Sequence, residues 1–177
     1  MREIVLFSAI SVDGFIAKPD GGLDWLYAFD KTNNEADGIF REFYDTIDTT
    51  FIGRKTYAQI RASGHPDPYP EKKNFVFSRS VREEPGPVTY VGGDIDGFVD
   101  SLRQAPGKPI WLVGGGELNG CFLTRGYIDR IILDTIPVVL GNGIPLFRGT
   151  DGCRRLRCEG VTRFPSGRVH TAFRLDG

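Results

Sequence analysis

Ile110-Trp111-Leu112-Val113-Gly114-Gly115-Gly116-Glu117-Leu118-Asn119-Gly120-Cys121-Phe122-Leu123-Thr124-Arg125-Gly126 runs an apolar strand straight into three glycines that open a helix. Glycines at a strand-to-helix junction let a ligand come close to the backbone. The helix behind them offers its unpaired N–H groups and the positive end of its dipole. A phosphate or pyrophosphate is the expected guest.

Two nucleotide readings compete for this stretch. Gly114-x-Gly116 with Asp134 about 20 residues on mimics a dinucleotide fingerprint, in which the acid holds a ribose hydroxyl. The third glycine of that motif falls on Asn119, and the chain after Ile136 reads as loop and hairpin, so a second nucleotide-binding half is missing. A Walker loop fits less well still, because no Gly-Lys-Ser/Thr follows. Two other strand ends carry more. Thr49–Ile52 delivers Gly53-Arg54-Lys55-Thr56, and the strand Asn74–Ser78 ends beside Arg79. If these strands are parallel, their carboxyl ends share the edge where open α/β sheets bind ligands. Arg54 and Arg79 then form two guanidinium forks for one phosphate monoester. Either arginine alone reads equally well as a solvated helix-start residue; together they suggest a 2′-phosphate, hence NADPH over NADH.

Around these junctions, strands alternate with helices. Ile4–Ile10 is an apolar run suited to a central strand, and residues 36–47 carry apolar side chains at helical spacing. Ile95, Phe98, Val99 and Leu102 mark another helix, and Arg130–Ile136 a further strand. Val12–Asp24, with Asp13-Gly14 and Pro19-Asp20-Gly21-Gly22, reads as a long loop. At the end, Arg154–Phe164 and Arg168–Leu175 flank Pro165-Ser166-Gly167 as an antiparallel hairpin. The expectation is one α/β domain over residues 1–177.

Composition narrows the function. A formal net charge of −1 disfavours a nucleic-acid partner. Three cysteines, with no histidine near Cys153 and Cys158, fit a reducing cytoplasm and no metal site. No run approaches the roughly 18 apolar residues of a membrane span, and the N-terminus is not a signal peptide.

The chain resembles the dihydrofolate reductase-like superfamily. The resemblance lies in Ser11-Val12-Asp13-Gly14-Phe15-Ile16-Ala17 after the first strand, Ile52-Gly53-Arg54-Lys55-Thr56-Tyr57 after the second, and Val113-Gly114-Gly115-Gly116-Glu117-Leu118 opening a late helix. The segment from Ile136 to Phe147 is similar to the reductase domain of the bifunctional riboflavin-biosynthesis deaminase–reductase. The resemblance implies a mixed, mostly parallel sheet of about eight strands flanked by helices, NADPH, a homodimer, and hydride transfer to a heterocyclic C=N or C=O. It implies Gly53, Arg54, Lys55 and Thr56 on the adenosine side and phosphates, and Ser78 and Arg79 on the 2′-phosphate. Gly114, Gly115, Gly116, Glu117 and Leu118 would cover the pyrophosphate and nicotinamide ribose. Ala9 and Ile16 would line the nicotinamide slot beneath a lid at Asp13–Asp24.

Reduction of C=N also needs a proton. By the same resemblance Asp37 falls where folate enzymes keep their acid, although a carboxylate there also suits an ordinary helix start. Asp134 is a second residue for contacting a substrate ring, and Trp25 and Phe40 would wall the cleft. His65 and His170 lack a sequence partner suggesting a triad or metal. Glu71-Lys72-Lys73 stands where a folate enzyme grips the glutamate tail, and the expectation is a reductase without a zinc-bearing deaminase domain. The expectation is a stand-alone NADPH-dependent reductase of a small heterocyclic, pteridine- or pyrimidine-like substrate. Dihydrofolate reductase proper, a riboflavin-pathway 5-amino-6-(5-phosphoribosylamino)uracil reductase and a catalytically inactive nucleotide-binding module stay open.

Overall fold

Because Ile4–Ile10 is apolar on both faces, it is driven to the middle of a sheet covered on both sides. A computed structural model describes residues 1–30, 37–80 and 86–176, apart from the side chains of Asp30 and Asp37. In chain order the elements are β1 (Ile4–Ser11), β2 (Phe15–Ala17), α1 (Asp24–Asp30), α2 (Asp37–Thr46), β3 (Thr49–Gly53), α3 (Arg54–Ala62), β4 (Lys73–Phe77) and β5 (Thr89–Val91). There follow α4 (Ile95–Gln104), β6 (Ile110–Gly114), α5 (Gly116–Thr124), β7 (Arg130–Ile136), β8 (Ile144–Pro145), β9 (Leu156–Arg163) and β10 (Val169–Leu175).

The main sheet has eight strands in the order β5-β4-β3-β6-β1-β7-β10-β9. The pairs from β5 through β7 are parallel, and β10 and β9 add an antiparallel edge. Thus β1, β3, β4, β6 and β7 all end on the same edge. The expected hairpin is present as the outer pair of this sheet, not as a separate layer.

Each face of the sheet has its own core. Ile95, Phe98, Val99 and Leu102 occur at helical spacing, so α4 lays one stripe on Phe51, Phe75 and Phe77, beside Leu118 and Phe122 of α5. On the opposite face α2 sets Phe40 and Phe43 against Phe7 and Trp111, and α3 sets Tyr57 on Ile52 and Val76. The amino edge is tied off by ion pairs. Buried Arg2 bonds Asp48, Thr49 Oγ1 at 2.8 Å and the Lys108 carbonyl at 2.6 Å; Arg103 forks onto Asp129 at 2.8 and 3.0 Å.

The stretch read as a loop after β1 contains a strand. β2 pairs antiparallel with β8, matching Phe15 to Pro145 and Ala17 to Ile144. Strands of three and two residues are too short to show a period. Among the described residues no helix is long and apolar enough to cross a membrane, and no group of three metal-ligating side chains occurs.

Candidate functional site

Two helices begin side by side at the carboxyl edge. β3 and β6 are neighbours, and each ends in glycine: Gly53 is the N-cap of α3 and Gly115 that of α5. A Cβ on Gly53 would stand 3.1 Å from the Gly114 carbonyl oxygen, so the two turns touch. Neither helix has a side-chain cap, whereas Asp94 caps α4 by accepting from the Gly97 N–H at 2.9 Å. The N-cap glycines of α3 and α5 thus supply no side-chain acceptor to the first-turn amides of the two helices, which begin beside one another.

The glycine triplet has internal reasons as well. Gly114 takes φ 93°, and its peptide bond to Gly115 is cis. A Cβ on Gly116 would lie 2.4 Å from the Pro145 carbonyl, and one on Gly115 2.9 Å from Thr56 Oγ1, which accepts the Gly115 N–H at 3.1 Å. Close packing of the chain on itself thus demands glycine here, in addition to whatever a ligand asks.

Cations surround the opening. Lys55 Nζ lies 3.0 Å and Arg79 Nη2 2.9 Å from the two oxygens of Glu117, with Arg148 at 3.8 Å. Arg54 Nη1 donates to Ser80 Oγ at 2.7 Å, and the Ser78 hydroxyl donates to the Ser80 carbonyl at 2.8 Å, shaping the turn after β4. The hydrogen bond and charge of Lys55, followed by the charges of Arg79 and Arg148, hold the Glu117 carboxyl below its ordinary range. Among the described residues three cationic side chains face the Glu117 carboxylate, with Arg54 at the neighbouring turn, an arrangement suited to a polyanionic ligand. A groove of about 400 Å³ runs from Arg54 past Tyr57 and Arg61 to Tyr90. Leu118 belongs to the core beneath α5.

Two strands further along the same edge lies a second polar group. Register pairs Ala9 with Asp134 and Asp134 with His170, so the three share one face. Asp134 is buried; its Oδ1 is 2.7 Å from His170 Nδ1 and its Oδ2 3.6 Å from Arg168 Nη1. The sequence reading gave His170 no partner. That is corrected here: the partner is Asp134, and only the strand pairing reveals it. Phe7 lies beside His170 and stacks on Phe40, which stays 38% exposed at the mouth of this face.

The remaining residues are dispersed around this edge. Trp25 on α1 is buried, and its indole N–H has no hydrogen-bond partner among the described residues. Ile16 on β2 packs against the main core. Asp37 opens α2, but its side chain lies outside the described residues. The stretch expected to act as a lid is tethered. Asp13 accepts the N–H groups of Leu140 at 3.1 Å and Gly141 at 2.7 Å, and Val12 N–H reaches the Val138 carbonyl.

Comparison with known proteins agrees with this architecture. The chain is 39% identical over 164 residues to the uncharacterized protein YwjB of Bacillus subtilis (strain 168), covering 92% of each. A crystal structure from Shewanella sp. PV-4, provisionally named a riboflavin biosynthesis protein, superposes with a TM-score of 0.87 at 26% identity, covering 99% of both chains. Dihydrofolate reductase from Enterococcus faecalis shares the fold, with a TM-score of 0.68 at 15% identity over 99% of this chain and 97% of that one. The family model of the RibD C-terminal domain matches residues 2–170, and the chain belongs to that family.

Proposed function

We propose that the protein is an NADPH-dependent reductase that transfers hydride to the C=N or C=O carbon of a small pteridine- or pyrimidine-like heterocycle. The observation that carries this reading is the pair of helix N-termini, α3 and α5, opening at touching turns inside the ring of Arg54, Lys55, Arg79 and Arg148. Membership of the RibD C-terminal domain family supports a reductase role. The Enterococcus faecalis enzyme, alike in fold, was solved with NADP(H).

NADPH, when bound, supplies the hydride; the chain binds, orients and excludes water. Arg54 and Arg79 would take the 2′-phosphate, each by a planar fork that a lysine cannot reproduce. Lys55 and the amides of Gly116, Glu117 and Leu118 would take the pyrophosphate. Gly53 and Gly114 let the two turns meet, Thr56 fixes the Gly115 amide, and Ser78 shapes the Arg79 turn. Ala9 and Ile16 would face the nicotinamide, with Trp25, Phe40 and Asp134 around the substrate ring. Asp37 is the acid that the folate resemblance implies. A single domain, a homodimer and a cytoplasmic location belong to the same proposal.

Thermal shifts of the whole chain with NADPH, NADH, FMN and dihydrofolate test it. A ligand at about 100 times its Kd adds about 2.7 kcal/mol of stability, so the ranking reports affinity. NADPH should stabilise most; stabilisation by FMN alone would remove the proposal. NADPH binding with no turnover of dihydrofolate or 5-amino-6-(5-phosphoribosylamino)uracil would favour a binding module.

A further inference from the structure

We infer that His170 delivers the proton in this reduction and that Asp134 is its positioning residue. The inference rests on the reductase reading above but on different atoms, and it puts His170 in the role that the folate resemblance gives Asp37. Asp134 has both oxygens engaged, one by His170 at 2.7 Å and the other facing Arg168 at 3.6 Å. Beside the substrate ring it would therefore act through His170 and not by its own oxygens. An ionised carboxylate only accepts, so His170 Nδ1 carries the hydrogen of this bond and Nε2 is left as the working nitrogen. Arg168 compensates the buried negative charge, its side chain being only 7% exposed like that of Asp134. The Phe7 ring, edge-on at 6.0 Å, limits rotation of the imidazole.

Placement agrees with the role. Ala9 lies between the two halves of the edge: β6 and α5 are on one side of β1, β7 and β10 on the other. Two strand spacings, about 10 Å, separate β6 from β7. A dinucleotide whose phosphates sit at α5 and whose reactive ring lies over Ala9 would bring its acceptor next to His170. When the acceptor carbon takes hydride, its nitrogen or oxygen gains the electron pair of the double bond. The Nε2–H bond of the imidazolium breaks, the heteroatom–H bond forms, and the neutral ring recovers its proton from water. The ligand class is thus a heterocycle presenting an imine or carbonyl acceptor.

The chain has two histidines, and His65 lies exposed in the loop after α3, outside the strands that carry Asp134 and His170, which gives an internal control. Carbethoxylation of the intact wild-type protein by diethylpyrocarbonate, mapped by mass spectrometry, should modify both. NADP⁺ at about 100 times its Kd should slow His170 about a hundredfold and leave His65 unchanged. Nitrogen-15 spectra of the neutral rings should show His170 as the Nδ1–H tautomer, a preference lost in Asp134→Asn. His170→Gln should keep the NADPH thermal shift. It should lower by about 10²–10⁴-fold the reduction of whichever acceptor, dihydrofolate or 5-amino-6-(5-phosphoribosylamino)uracil, the wild type uses. Unchanged His170 reactivity with NADP⁺ bound, or an undiminished rate in His170→Gln, overturns the inference and spares the cofactor reading. Absence of any NADP⁺ thermal shift overturns both. The protection measurement uses wild-type protein, so it decides even if His170→Gln does not fold.

Discussion

Lys55 Nζ stands 3.0 Å from the Glu117 carboxylate, bridging the first turns of the two helices that open at the carboxyl edge. Arg79 and Arg148 converge on the same group, so the one acid occupies cations that a phosphate would seek. Glu117→Gln should release them. Exposed ion pairs contribute about 0.2–1 kcal/mol, so NADPH should bind up to about fivefold more tightly, with a steeper salt dependence. Titration calorimetry at two ionic strengths checks this. Weaker binding would mean that Glu117 itself accepts a hydrogen bond from the ligand.

Arg54 separates the two nicotinamide cofactors. A hydrogen bond from a charged group contributes about 1.5–3 kcal/mol. Arg54→Ala should therefore weaken NADPH by roughly tenfold to a hundredfold while NADH changes little. Its neighbour Ser80 is exposed, so the fold should not suffer. Equal losses for both cofactors would place Arg54 elsewhere than on the 2′-phosphate.

Asp13 gives the tethered stretch after β1 a pH dependence. The Ser11 hydroxyl at 2.6 Å, then the Leu140 and Gly141 amides, hold its carboxyl below the ordinary value. A depressed carboxyl stabilises the folded contact above its unfolded pKa, near 3.9. That contribution fades as pH falls through the lower folded value. Exchange protection of the Leu140 and Gly141 amides should persist at pH 5 and decline below about pH 4. In Asp13→Ala it should be weak throughout. Protection in that variant equal to the wild type would show that the β2–β8 pairing holds the segment without Asp13.

Sequence pattern carried the elements whose burial is periodic, and β1 and α4 follow directly from their apolar spacing. The three strand-end motifs were legible because each is a short contiguous run: glycine, cations and hydroxyl at Gly53-Arg54-Lys55-Thr56, hydroxyl and cation at Ser78-Arg79, and three glycines at Gly114-Gly115-Gly116. Their convergence needed only the parallel sheet. Asp134 and His170 were illegible as a pair, since a strand shows which face a residue takes but not which residue it meets across the gap. Gly116 was read as a ligand cradle; its contact with the Pro145 carbonyl depends on β8, which is too short to announce itself. Asp37 came from the resemblance alone.

The Asp134 cluster should also govern stability. Removing one partner of a buried ion pair costs about 3–5 kcal/mol, because the other charge stays desolvated. Asp134→Ala should accordingly lower Tm by about 6–20 °C for a chain of this length. His170→Gln should cost only about 1 kcal/mol, because it leaves the Asp134–Arg168 pair in place. A double-mutant cycle should give a coupling above about 0.5 kcal/mol. Additive effects would mean that the 2.7 Å contact carries no net energy.

Asn119, where a Rossmann motif would place its third glycine, links α5 to the segment after β8. It is fully buried, and its Nδ2 donates to the Leu146 carbonyl at 2.9 Å. Asn119→Leu keeps the number and branching of the side-chain heavy atoms and strands that carbonyl, a loss of about 1–3 kcal/mol. Asn119→Asp should be worse, since it sets an acceptor-only carboxylate against the same oxygen. Because Gly116 accepts the Arg148 N–H at 2.9 Å, loosening this segment should also misplace the first turn of α5. Asn119→Leu should thus weaken NADPH as well as lower Tm. A lower Tm with undiminished NADPH affinity would show that the α5 N-terminus is held by Thr56 and the β6 turn alone.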